Sequence, residues 1–207
     1  MTMAKGTQEK KQQNATDISG SRTMKLTCLE VTTTSANPRK GNVVELSALS
    51  LDVEDPKVRW AETTILIDNN TLVGTPDYLS KCHYQLGWIA NPSSSPYPII
   101  RMNDVKRHLL DWMRANQCGD DKVEYYPVGD AWDVNVWPWL EGHVNGMVHV
   151  PKGKSLDIGS LCYVEGSPVP SLVESLESLG IRDMPERWSA RDRATDCATA
   201  VSQFFRG

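Results

Sequence analysis

Paired cysteines, long apolar runs and an excess of positive charge are all missing from this chain of 207 residues. No apolar stretch approaches the roughly 20 residues that a membrane-spanning helix needs. The N-terminal residues are polar and lack the apolar core of a secretion signal. The five cysteines, at positions 28, 82, 118, 162 and 197, are odd in number and scattered, with no C-x-x-C pair. That spacing argues against a zinc site and against a disulfide framework. We therefore expect a reduced protein of the cytoplasm with no membrane partner. The formal net charge is −4, so no global field draws nucleic acid to the molecule, and any such contact has to come from a local basic patch. Phenylalanine is scarce, two residues against seven tryptophans, so the large aromatic wedges are indoles. No internal repeat is visible.

What is present suits one α/β domain with a tail. Hydrophobic residues make up 40% and charged residues 23% of the chain, enough for a core at this length. Residues 1–23 hold almost nothing to bury and read as a disordered tail, leaving 24–207 as the domain. Met24 stands as an alternative start. Lys25–Val31 reads as a strand. The turn Asn37-Pro38-Arg39-Lys40-Gly41-Asn42 leads to a second strand at Val43–Asp52, and Arg59–Ile67 reads as a third. Three such strands in succession predict an antiparallel meander. Residues 74–98 read as irregular, with a short helix around Tyr78–Leu86. Met102–Asn116 has apolar residues at helical spacing. Lys122–Val128 reads as a strand, and Asp133–Leu140 as a helix start interrupted by Pro138. Helices are expected at Ser155–Cys162, at Ser171–Leu179 with Gly180 as its stop, and at Ala190–Phe205. The order β-β-β-α-β-α-α-α implies a mixed sheet flanked by helices.

The stretch Leu-Thr-Cys-Leu-Glu-Val-Thr-Thr-Thr, residues 26–34, ends the first strand and puts Cys28 and Glu30 on one face. Two further acids, Asp133 in Val-Gly-Asp-Ala-Trp-Asp and Asp196 in Asp-Arg-Ala-Thr-Asp, fall where such a fold would bring them to the end of that strand. Clustered carboxylates repel unless cations neutralise them, and an all-oxygen site suits Mg²⁺ or Mn²⁺.

These motifs, in this order, resemble those of the DEDD exonuclease superfamily, the group of RNase T, oligoribonuclease and the proofreading exonucleases. The family's first motif is Asp-x-Glu on strand one, then Thr-Thr, a turn, and Ile-Ile-Glu-Ile-Gly-Ala. This chain has Cys28-Leu29-Glu30-Val31-Thr32-Thr33, then Asn37-Pro38-Arg39, then Val43-Val44-Glu45-Leu46-Ser47-Ala48. The second motif, Asn-Gly-x-x-Phe-Asp, is similar to Val128-Gly129-Asp130-Ala131-Trp132-Asp133. Leu-Asp-x-x-x-Leu matches Leu156-Asp157-Ile158-Gly159-Ser160-Leu161, and His-x-Ala-x-Asp aligns with Asp192-Arg193-Ala194-Thr195-Asp196. The resemblance covers about residues 25–205. It implies an RNase H-like fold and a two-metal hydrolysis of the 3′-terminal phosphodiester. In that scheme the first Asp bridges both ions, the Glu helps to hold one, and the His takes a proton from the attacking water.

Two positions depart from the pattern: Cys28 stands where the family has its first Asp, and Asp192 where it has its His. A thiol is soft and mostly protonated at neutral pH, whereas Mg²⁺ wants hard oxygen. Asp192 is a weak base beside imidazole. The resemblance thus implies a candidate site of Glu30, Asp133 and Asp196 as metal ligands, with Asp192 and Cys28 at the degenerate positions. His143 and His149 could take the base role. One expectation is a degenerate homologue that binds single-stranded RNA or DNA ends, or a protein partner, with weak or no catalysis. The alternative is an active Mg²⁺- or Mn²⁺-dependent 3′–5′ exonuclease releasing 5′-nucleotides. A third possibility makes Cys28 the ligand of a softer ion. Each residue also has a plainer reading: Glu30 as a strand-end acid, Cys28 as a small buried hydrophobe, Asp133 as a helix N-cap, Asp192 as part of a solvated face. Glu45 reads as a structural support for the first strand. Trp132, Trp137 and Trp139 are core or groove-wall candidates. Lys10-Lys11 and Arg39-Lys40 are short basic clusters, and His83 and Trp88 have no assignment.

Overall fold

The structure, a computed structural model, describes residues 25–52, 59–116, 125–130, 135–143, 155–164, 166–181 and 189–205. The expected tail at 1–23, Cys118, Trp132, Asp133 and His149 lie outside the described residues.

Strands β1 (Lys25–Thr33), β2 (Val43–Asp52) and β3 (Arg59–Asp68) form the expected antiparallel meander. The register sets Cys28 opposite Leu49, Glu30 opposite Ser47 and Thr32 opposite Glu45. A short β4 (Ile99–Arg101) extends β3 in parallel, while β5 (Tyr125–Gly129) and β6 (Leu156–Asp157) extend β1 in parallel. The six-stranded order is β4-β3-β2-β1-β5-β6. Strand β1 is therefore interior. Its backbone pairs on both sides, and eight of its nine residues are buried.

Alternation along β1 assigns its side chains to two cores. Leu29 and Val31 face α3 (Met102–Ala115) and α4 (Trp137–His143), joining Leu109, Met113, Trp139 and Leu140. Leu26 and Cys28 face α5 (Ile158–Leu161), α6 (Leu172–Ser178) and α7 (Ala190–Phe204). Helix α7 meets the sheet through Ala194, Cys197, Ala198 and Val201, a stripe at i, i+3, i+4 and i+7. These small residues let the helix backbone lie close to β1 and β2, which is what brings α7 side chains to Glu30. Phe204 and Phe205 do not join that stripe; they are exposed and pack edge-to-face on each other.

Three elements differ from expectation for local reasons. The helix expected around Tyr78–Leu86 is two helices, α1 (Pro76–Lys81) and α2 (His83–Ala90), parted at Cys82, whose ψ of 22° leaves the helical well. The helix expected over 155–162 begins as strand, because Leu156 and Asp157 pair with Val128 and Gly129. Only then does Asp157 turn inward as an N-cap, accepting the Ser160 N–H at 2.8 Å. Pro138 sits in the first turn of α4, where a missing N–H is harmless. Helix α6 opens on a Ser171/Glu174 capping box and closes at Gly180, whose φ of 78° is the left-handed conformation of a helix stop.

Candidate functional site

A cleft of about 430 Å³ opens at the C-terminal end of β1. Its lining comes from Glu30 to Thr33 of β1, Tyr78 and Lys81 of α1, Asp130 after β5, Trp139 of α4, Leu172 and Leu176 of α6, and Arg193 and Asp196 of α7. Two of the acids singled out from the sequence, Glu30 and Asp196, thus share one cavity, although 166 positions separate them (196 − 30). Both are almost fully buried, at 2% and 3% exposure.

Glu30 is held from three sides. Its Oε1 accepts the backbone N–H of Asp130 at 2.8 Å and the Cys197 thiol at 3.4 Å. Its Oε2 faces the Arg193 Nε at 3.3 Å, and the same guanidinium donates to the Val31 carbonyl. Burial pushes the Glu30 carboxyl above the usual carboxylate range; Arg193 and the Asp130 N–H oppose that rise, and the Asp130 charge adds to it. Asp130 is raised likewise, chiefly by burial, again with Arg193 acting against it. Arg193 is thus the shared counter-charge of two carboxylates in the cleft.

Cys28 does not line the cleft. It is completely buried in the core under α7, and desolvation, with the nearby Glu30 charge, pushes its thiol far above the ordinary range. Zero exposure in an apolar cluster fits its plainer reading as a small hydrophobe. Asp192, one residue before Arg193, points to a different neighbourhood, where it acts electrostatically on Tyr97 and Arg191. It is not part of the cleft lining. Asp133 lies outside the described residues, as does the side chain of His143. Trp139 is buried at the cleft wall and Trp137 packs on the α3 and α4 core.

The donor set near Glu30 does not suit a pair of hard cations. Its oxygens already face an N–H, an S–H and a guanidinium, each of which a cation would have to displace or oppose. Among the described residues no group of three or more His, Cys, Asp and Glu side chains is arranged to hold a metal ion. Among the described residues, three carboxylates, Glu30, Asp130 and Asp196, line the cleft, with Arg193 as the cation facing Glu30.

Three residues escaped the sequence reading. Asp130 lies inside the quoted Val-Gly-Asp-Ala-Trp-Asp run, but its backbone N–H, not its side chain, holds Glu30. Arg193 and Cys197 are four apart on α7 and so share a helix face. That spacing was a usable signal, overshadowed by the acids at 192 and 196.

No protein-family model and no curated protein matches the sequence. Solved structures do. The nuclease domain of 3'hExo, a DEDDh family member, bound to rAMP, is similar with a TM-score of 0.68 at 14% identity, covering 90% of this chain and 94% of that one. A 3'-exonuclease recognising the 3' end of a histone mRNA stem-loop gives 0.66 at 12% identity, over 90% and 83%. The cell-death related nuclease CRN-4 gives 0.63 at 12% identity, over 89% of this chain and 64% of its own. The chain has the RNase H-like, DEDD-type 3'–5' exonuclease fold; at these identities the likeness is one of fold.

Proposed function

We propose that this protein is a degenerate DEDD-type exonuclease homologue that binds the 3′ ends of single-stranded RNA or DNA, with weak or no hydrolysis. The observation that carries the reading is the Arg193–Glu30 pair inside the cleft. A partly buried guanidinium in contact with the one acid of strand β1 in the cleft does the charge balancing that bound cations would otherwise do, and it repels a second cation. The run Glu30-Val31-Thr32-Thr33-Thr34 also accepts the family's first motif two residues later than Cys28, with Glu30 in the place of Asp and Thr32 in the place of Glu. Thr32 is engaged with Glu45 at 2.7 Å, so it serves the framework.

What remains in the cleft suits recognition. Lys81 supplies positive charge for phosphate, and Tyr78 supplies a ring for a terminal base. A neighbour of the same fold was solved with rAMP, which supports a nucleotide-sized occupant. Loss of a positioned base alone removes ~10²–10⁴ in rate, and among the described residues no His lines the cleft, which supports slow hydrolysis at best.

The test pairs binding with turnover on the same protein. Short 5′-labelled RNA and DNA strands are titrated in EDTA by fluorescence anisotropy, then incubated with Mg²⁺ or Mn²⁺ and resolved for stepwise shortening, with released 5′-nucleotides read by chromatography. Binding in EDTA with intact strands is expected. Steady release of 5′-nucleotides would restore the active-exonuclease reading, and absence of binding to either strand would turn the cleft towards a protein partner.

A further inference from the structure

Four aromatic rings run along the outside of the molecule, beginning where the cleft ends. Tyr78 and Lys81 line the cleft, and the Lys81 ammonium lies 5.4 Å from the centre of the Tyr78 ring. Cys82, the next residue, still lines the cleft, and α2 begins at His83. From there the ring centres step from His83 to Tyr84 at 4.0 Å, from Tyr84 to Trp88 at 6.2 Å, and from Trp88 to Tyr97 at 6.0 Å. The His83 Nδ1 lies 2.8 Å from the Ser80 carbonyl, which orients that ring. Tyr84 is 64% exposed, far more than a residue serving the core. Hydrophobic burial does not explain its position, since the apolar residue of this helix with the role of anchoring it is not Tyr84; the buried contact of α2 is Gln85, bonded to Glu45.

We propose that this ring track is a stacking platform for the single strand whose 3′ end occupies the cleft. The inference rests on the nucleic-acid reading above and deepens it by assigning the path of the upstream nucleotides. Three features select this occupant. The track is continuous with the cleft through Tyr78, Lys81 and Cys82. Its rings carry polar edges, so they suit bases, which present a π-face to stack and leave their edges in water, better than an apolar helix. And in a chain of net charge −4, residues 69–101 contain one acid, Asp77, against Lys81 and Arg101. A phosphate backbone lying over the His83–Trp88 part of this segment meets little repulsion from it, while Tyr97 at the far end also faces Arg191, Glu45 and Asp192.

The test measures affinity against strand length. Wild-type protein and the variants Tyr84→Ala, Trp88→Ala and Trp88→Phe are titrated with 5′-AMP and with labelled oligouridylates of increasing length, in EDTA. Affinity of the wild type is expected to rise with length, and Tyr84→Ala and Trp88→Ala are each expected to lose about tenfold for the longer strands. The same variants should bind 5′-AMP as the wild type does, and Trp88→Phe should retain most of the long-strand affinity. Circular dichroism melting checks that Trp88→Ala is folded, and the exposed Tyr84→Ala carries the result if it is not. Long-strand affinity unchanged by Tyr84→Ala, with 5′-AMP binding intact, overturns the platform while leaving the cleft reading in place. Failure of the wild type to bind 5′-AMP or any strand overturns both. If Tyr84→Ala instead splits a wild-type dimer, seen by sedimentation, without altering strand affinity, the face is a self-association surface and the platform is overturned.

Discussion

Two buried carboxylates on neighbouring strands, Glu30 and Glu45, are held in opposite ways. Glu45 is wholly buried and receives four neutral donors: the Thr32 hydroxyl, the Gln85 amide, the Ser189 hydroxyl and the Ala190 backbone N–H, at 2.7, 3.0, 2.9 and 2.9 Å. It also caps α7, whose own N-cap Ser189 makes no side-chain cap, and it gains from the positive end of that helix. It ties β1, β2, α2 and α7 at one point and does not line the cleft. Glu30 receives one backbone N–H and one thiol, and faces a guanidinium, at the wall of a cavity. A saturated acid away from a cavity is framework; an acid balanced by one side-chain cation at a cavity wall is a site. The comparison separates the two roles without reference to residue type.

The contrast can be broken by substitution, and the largest effect is expected at Glu45. Glu45→Ala strands a hydroxyl, an amide and the α7 N-terminus, and should cost about 4 kcal/mol of stability, read as a shift in urea midpoint. Glu45→Gln should recover roughly half of it. Cys28→Asp, the reversion suggested by the sequence motif, places a carboxylate with no donor in a site of zero exposure beside Glu30. It should destabilise by about 3 kcal/mol, and, with or without Asp192→His, restore no nuclease activity. A Cys28→Asp, Asp192→His protein that folds and cleaves would reinstate Cys28 as the lost catalytic position.

Arg193→Ala should cost about 2 kcal/mol, less than Glu45→Ala because the guanidinium is partly exposed. Its signature is in pH. Burial already raises the Glu30 carboxyl, so the folded state favours the protonated form. That contribution is full below the ordinary carboxylate range and declines as pH rises through it to the raised folded value. Removing Arg193, which holds the rise down, should extend the decline to higher pH. Melting temperature followed from acid to neutral pH reads this directly; curves of identical shape for wild type and variant would mean that Arg193 does not balance Glu30. Glu30→Gln should be the mildest change, about 1 kcal/mol, since the amide oxygen still accepts the Asp130 N–H.

The meander, the amphipathic α3 and the small-residue face of α7 were legible because each is written in local periodicity. So was the pairing of Glu30 with Cys28 on one face, a consequence of the two-residue repeat of a strand. What was not legible is tertiary. The Arg193–Glu30 contact joins residues 163 apart, and no period reports it. The two-residue strand β6 was hidden inside an apolar run that also suits a helix, and pairing with β5 decided it. The motif match to Cys28 falls on a core position, and the triple threonine allows a second alignment two residues on, a choice that no local period reports.

The central claim is that a tethered guanidinium, not a bound metal, balances Glu30 in this cleft. Titration of wild-type protein with Mn²⁺ alone, followed by electron paramagnetic resonance of the free ion, tests it most directly. The account predicts that Mn²⁺ stays free, with the same titration for Glu30→Gln. Stoichiometric Mn²⁺ binding that Glu30→Gln abolishes would contradict it.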